Sequence, residues 1–463
     1  MDSKNHEAAI SESGFKREIG VFGGVSILGG IMIGSGIFYL GSYVMMRSHF
    51  SQGMALLCWI IGGIVCMLGG LCYAELGAAD PKAGGSQVYL TKAYHPIVGF
   101  LSGFSSWLLS GAGSISAVAI ALPTALKNFI DLSDFQVKLI GVVLIVGLTA
   151  YNCFGVKLGA VLQNISMIAK LIPIVIILFG ALIFGKQSPN LSLMPQDGTP
   201  ASLGSMIGWI AFAVVATLWA YEGWTNLNSV AEEMKNPRKN LPLAIIIAIG
   251  AIMVIYTLFN FAIYRYLPAE QITGLINDGK YYLGTEVAKG LMGNFGGTLV
   301  TIGMIVSMFG SLNGMILAFP RVYYAMGVEG HFFKFYGKLH PKYKVPTAAL
   351  IGQAVISIAL LMLRNLDQLT SLVVFSGMLF NVLIIYAVHI YRKKFPDMER
   401  PYKVIGYPFT LILTLVINIG LMINTLIEDW QTAAIGMIVP AVGLVVYFIF
   451  DMRLKKEKSA GKR

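Results

Sequence analysis

The chain has 463 residues, 56% of them hydrophobic and 12% charged, with a mean hydropathy of +0.71. A soluble domain carries about 25% charged residues, so a soluble globule is excluded, and the secreted, fibrous and disordered classes with it. Stretches 139–150, 243–262, 299–319 and 435–450 hold almost no ionisable group and approach the roughly 20 residues that cross the hydrocarbon of a bilayer as a helix. The chain reads as an all-α polytopic membrane protein.

Residues 1–18 are polar and mixed in charge, without the apolar core and small-residue cleavage site of a signal peptide. Twelve apolar segments follow, at 19–44, 52–78, 96–126, 137–152, 158–184, 203–230, 242–266, 291–320, 345–363, 369–391, 407–427 and 431–450. The third and eighth are too long for one perpendicular crossing, which predicts tilt or an extension along the membrane. The net charge of +11 comes from 34 Lys and Arg against 23 Asp and Glu, and its placement explains it. With the N-terminus cytoplasmic, 25 cations fall on the inner side and eight on the outer, and Lys170 stands within a span. That bias is an orientation signal rather than a nucleic-acid footprint, and it places both termini in the cytoplasm. The basic run 455–463 reads as a solvated topology anchor. Cys58, Cys66, Cys72 and Cys153 sit in or beside apolar segments without a disulfide or metal spacing. They read as small packed hydrophobes.

Two segments contain residues that a spanning helix tolerates badly. The first holds Gly34-Ser35-Gly36 in its middle. Such small residues either let another helix pack closely or mark an unwound stretch whose freed amides, at the start of the next half-helix, receive an anion. The sixth holds Trp219-Ala220-Tyr221-Glu222-Gly223-Trp224-Thr225-Asn226, with a carboxylate that must face protein or a water-filled cavity. Breaks in segments one and six are the relation expected of a 5+5 inverted repeat with its binding site between the repeats. The expected layout is therefore an N-terminal tail 1–18, a first repeat 19–184, an outer loop 185–202, a second repeat 203–391, two further spans within 392–450, and a tail 451–463.

The motif Gly30-Ile31-Met32-Ile33-Gly34-Ser35-Gly36-Ile37-Phe38 resembles the first-helix signature of the amino acid, polyamine and organocation superfamily. Tyr73-Ala74-Glu75-Leu76-Gly77 with Pro81-Lys82-Ala83-Gly84-Gly85-Ser86 resembles its second-helix ending. Leu218-Trp219-Ala220-Tyr221-Glu222-Gly223-Trp224, Asn236-Pro237-Arg238-Lys239-Asn240-Leu241-Pro242 and Arg400-Pro401-Tyr402-Lys403 are similar to the L-type amino acid transporter branch. The resemblance covers nearly the whole chain.

The resemblance implies a LeuT-like fold of twelve helices, ten in the repeats and two after them, with helices one and six unwound. It implies a substrate site of Met32, Ile33, Ser35, Gly36, Trp219, Ala220 and Glu222. The amides of Ser35 and Gly36 receive the substrate carboxylate, and carbonyls near Met32, Trp219 and Glu222 receive its ammonium. Trp219 takes the position of an aromatic gate, or else packs within the bundle. Lys170 matches a lysine that replaces the sodium ion of coupled relatives, bridging the first and eighth helices with Ser307 or Ser311 as partners; as a plain residue it would snorkel. Glu222 pairs with a cationic substrate side chain, titrates, or caps the following half-helix. The implied activity is sodium-independent exchange of neutral amino acids, small ones such as alanine, serine and cysteine favoured. Cationic or broad-specificity transport, proton coupling, and a sensor or channel on the same fold are the alternatives. No cofactor or metal is implied, and the partners are the amino acid and the bilayer of the cell membrane. Animal members of the branch carry a cysteine between helices three and four that binds a heavy subunit; residues 126–136 have none, so no covalent heavy subunit is expected. An enzyme is disfavoured, since the six histidines show no HExxH spacing.

Overall fold

Lipid offers no hydrogen-bond partner to a peptide group, so a spanning chain must satisfy its backbone within helices or against other parts of the protein. The computed structural model describes residues 19–80, 86–154, 170–225, 227–228, 234–329, 332–343 and 345–459. Among them the ordered structure is helical, apart from an isolated bridge between Ile19 and Met234. In chain order the helices are α1 (Val21–Met32), α2 (Gly36–Arg47), α3 (Gln52–Ala79), α4 (Ser86–Ala93), α5 (Pro96–Ser105) and α6 (Gly111–Ala125). Then come α7 (Asp134–Cys153), α8 (Leu171–Phe184), α9 (Leu203–Ala220), α10 (Pro237–Tyr266), α11 (Ala269–Asn277) and α12 (Leu283–Glu329). The last four are α13 (Thr347–Leu363), α14 (Leu366–Lys394), α15 (Phe409–Glu428) and α16 (Trp430–Ser459).

Nine of the described helical stretches are long and apolar enough to cross a bilayer, and α1 with α2 make a tenth as one bent span. The shortfall from the twelve expected segments lies in α8 and α13, of 14 and 17 residues. Residues 158–169, the inner half of the fifth segment, lie outside the described residues. In the third segment, α5 and α6 join through a π-helical turn, Ser106–Ser110, whose Ser106 carbonyl accepts from the Tyr323 hydroxyl at 3.3 Å. The kink in α12 falls at Met292 and Gly293, where Gly293 has φ 64°, so the eighth segment, 291–320, stays one helix apart from its first residues. The connection before it contains α11, entered after Pro268 and stopped at Asp278-Gly279. Proline before a helix and a left-handed glycine after it are its start and stop signals.

Buried charges tie α14 down at both ends. At its first turn Arg47, the last residue of α2, donates to Asp367 Oδ1 and Ser371 Oγ at 2.8 Å each and to the Phe212 carbonyl at 3.0 Å. Its guanidinium also lies 3.9 Å over the Phe212 ring. At the other end Glu75 of α3, 3% exposed, takes two bonds from Arg392, at 2.8 and 2.6 Å, and one from the Val404 amide at 2.7 Å. Arg400 caps the end of α14 by donating to the carbonyls of Tyr391 and Phe395 at 2.8 and 2.7 Å. A fully partnered carboxylate of this kind holds the 395–408 connection against α3.

Removing one member of a buried, bidentate pair strands its partner, at a cost of about 3 kcal/mol. Glu75→Ala is therefore expected to lower unfolding stability in detergent by that amount. Lys127→Ala removes the Lys127–Asp134 pair, in which Asp134 is 91% exposed, and should cost under about 0.5 kcal/mol. Thermal unfolding of both variants followed by tryptophan fluorescence checks the contrast.

Candidate functional site

The first span breaks where the sequence places Gly34-Ser35-Gly36. After Met32 the chain turns on short bonds, Ile33 N–H to Gly29 O at 3.0 Å and Gly34 N–H to Met32 O at 2.8 Å. It then leaves at 56° into α2. Among the described residues, the amides of Ser35, Gly36 and Ile37 donate to no backbone carbonyl. Three free donors at the positive end of α2 form an electropositive mouth.

The second break follows α9. Tyr221 N–H returns to Thr217 O and Glu222 N–H to Trp219 O, both at 3.2 Å. Gly223 then takes φ 114°, a conformation that costs a residue with a side chain several times more than glycine. The two breaks touch: a Cβ on Gly36 would lie 3.0 Å from the Ala220 Cα and 3.2 Å from its Cβ. Glycine at position 36 is thus a requirement of close backbone approach.

One side chain serves both breaks. The hydroxyl of Tyr256, in the middle of α10, lies 2.6 Å from Met32 O and 3.0 Å from Ala220 O. Its ring is wedged between Trp59 and Tyr221, at centroid separations of 5.6 and 5.1 Å, and Tyr221 donates to Trp59 O at 2.9 Å. Ala220 O keeps a second lone pair for a ligand, whereas Met32 O already accepts from Gly34 N–H as well. The sequence reading missed Tyr256; the available signal was the short polar interruption Tyr256-Thr257 in the apolar block 243–262. It also missed Tyr39, one helical turn beyond Ser35. Tyr39 lies against Ser35 and Trp219 with its hydroxyl buried and without a hydrogen-bond partner.

The other expected residues fall around this centre. Ile33 lies in the turn itself, and Trp219, 7% exposed, closes the end of α9. Lys170, 5% exposed at the start of α8, donates to Gly30 O at 2.5 Å. A buried ammonium therefore sits on a carbonyl of the first span. The serines of the eighth segment are bonded otherwise. Ser311 Oγ donates to Ser307 O at 3.1 Å, Ser307 Oγ is buried without a partner, and Lys170 bonds neither. Glu222 lies two residues beyond Ala220. It lines a small cavity with Cys66 and Gly69 of α3, Leu218 of α9, Trp224, Met378 and Asn381 of α14, and Asn418 of α15. Among the described residues it forms no ion pair, and no group of three or more His, Cys, Asp or Glu side chains is arranged to hold a metal.

Paired helix breaks inside a polytopic bundle, with free amides at one and a shared tyrosine between them, define a membrane transporter. The chain belongs to the amino acid permease family, whose model matches residues 19–449. It is 33% identical over 451 residues to the serine/threonine exchanger SteT of Bacillus subtilis, covering 97% of this chain and 99% of that protein. It is 29% identical to the b(0,+)-type amino acid transporter 1 of Mus musculus, over 97% of this chain and 91% of the relative. The human cystine/glutamate transporter is also 29% identical, over 96% and 87% of the two chains.

Tyr256→Phe keeps the ring and deletes the bond to both breaks, a loss of about 1 kcal/mol for one buried hydrogen bond. The variant should stay monodisperse and bind its amino acid about fivefold more weakly, read by isothermal titration of the purified protein. Gly36→Val should abolish that binding, because the added atoms meet the Ala220 backbone.

Proposed function

We propose that the protein is a sodium-independent exchanger of neutral amino acids, small ones favoured, working by alternating access in the cell membrane with both termini cytoplasmic. The observation that carries this reading is the contact of the two broken helices. The free amides of Ser35, Gly36 and Ile37 stand at one break, and carbonyls joined through Tyr256 stand at both. A zwitterion needs donors for its carboxylate and acceptors for its ammonium, and main chain supplies both without regard to the side chain. Substrate thus sits beside the Gly36–Ala220 contact, against Met32, Ile33, Ser35 and Gly36 of the first break and Trp219 and Ala220 of the second. Selection for small side chains follows from the tight Gly36–Ala220 approach and the burial of Trp219.

Lys170 replaces a coupling cation: its ammonium holds Gly30 O as a bound sodium would hold a carbonyl. The 5+5 inverted repeat over 19–184 and 203–391, followed by two further spans, is the architecture this site needs. The similarity to SteT, over nearly the full length of both chains, supports exchange rather than one-way flux. The protein works without a covalent heavy subunit, consistent with residues 126–136 lacking cysteine.

Counterflow tests the reading. In proteoliposomes, unlabelled internal alanine or serine should accelerate uptake of labelled external substrate severalfold, and replacing sodium by choline should leave the rate unchanged. A strict sodium requirement, or uptake indifferent to internal substrate, would sink the proposal. Glu222→Gln in the same assay should alter alanine and lysine uptake equally, since in this reading main chain at the two breaks, and not this carboxylate, holds the zwitterion.

A further inference from the structure

The connection between α12 and α13 carries a second, aromatic core. Phe332 is fully buried and Tyr336 is 4% exposed, and they pack with Phe100, Phe104 and Trp107. The Trp107 and Phe332 ring centroids are 5.0 Å apart, and those of Phe332 and Tyr336 are 5.5 Å apart. These anchors hold a turn whose intervening residues point outward. Phe335 is 52% and Leu339 41% exposed, and Lys338 and Lys342 are exposed beside them. At the end of α7, Phe154 is 67% exposed and meets the Tyr343 ring edge-on at 5.6 Å, which extends the apolar strip.

Lys338 and Lys342 have no acid close by in the sequence. Residues 330–366 contain no Asp or Glu. Lys338 makes no ion pair among the described residues, and Lys342 has only the Tyr343 ring, 5.3 Å beneath its ammonium. Two uncompensated lysines beside exposed aromatic and aliphatic side chains match a molecule with an anionic head and apolar tails. A free anion would leave Phe335, Leu339 and Phe154 without a partner.

We propose that residues 332–343 form a docking site for the headgroup of an anionic phospholipid, with Lys338 and Lys342 on the phosphate and Phe335, Leu339 and Phe154 among the first carbons of the acyl chains. The site is rigid because Phe332 and Tyr336 fix the turn from inside. It needs no substrate, so its test is independent of the exchange reading.

The test uses the purified full-length protein in a neutral detergent, titrated with short-chain phosphatidylglycerol, short-chain phosphatidylcholine or inorganic phosphate and read by native mass spectrometry. Phosphatidylglycerol should bind, and the Lys338→Gln/Lys342→Gln variant should bind it about 30-fold more weakly, each lysine near a lipid surface contributing roughly a factor of five. Phe335→Ser should weaken it as well. Lys186→Gln/Lys280→Gln, on the opposite side, should leave it unchanged. Phosphatidylcholine binding as tightly as phosphatidylglycerol would overturn the proposal, as would inorganic phosphate displacing the lipid at equal concentration. Undiminished binding by the double lysine variant would overturn it too. Unchanged melting of the variants shows that the fold is intact.

Discussion

A peptide group released from a helix inside a bilayer has no water to bond to, and the architecture is arranged around two places where that release happens. At Met32 and Ala220 the released carbonyls are held together by the Tyr256 hydroxyl, 2.6 and 3.0 Å away. At Ser35, Gly36 and Ile37 the amides stay free. The asymmetry is what turns a structural problem into a binding site. The carbonyl side is tied down by protein, and the amide side waits for an anion at the mouth of α2. Trp59 of α3 and Tyr221 hold the Tyr256 ring in place, so the geometry of both breaks depends on how α3 and α10 pack.

The same economy governs charge. Few ionisable groups lie within the spans, and those that do have assigned positions. Lys170 rests on Gly30 O of the first span. Arg47 and Glu75 anchor α14 at its two ends, the one from α2 and the other from α3. These pairs link the broken first span and its neighbour to the helix that also borders the Glu222 cavity. A helix held at both ends by buried, multiply bonded charges moves as a unit with its partners or has to give up several charge-assisted bonds at once.

Much of this was readable from residue order. Scarcity of charge located most of the spans to within a few residues. The pairing of Gly34-Ser35-Gly36 with Glu222-Gly223 pointed to breaks in segments one and six, and α1 ends at Met32 and α9 at Ala220. α4 and α11 escaped notice because, at eight and nine residues, they are too short and too polar to register as spans, although α11 buries Ile272 and Ile276 on one face. Arg47 read as one of eight outer cations, since a sequence does not show that Asp367 and Ser371, more than three hundred residues later, close around it.

Composition and position by themselves determined that the chain lives in a membrane, where its spans lie and where helices cannot continue. Each follows from the local cost of putting charge, glycine or unpaired backbone into hydrocarbon. Only the tertiary structure decided which groups meet: that Gly36 abuts Ala220, that Tyr256 spans both breaks, that Lys170 bonds Gly30 but neither Ser307 nor Ser311, and that Glu222 lines a cavity with α3, α14 and α15. These are contacts between segments far apart in the chain. They are set by how the helices pack, which no local pattern of residues encodes.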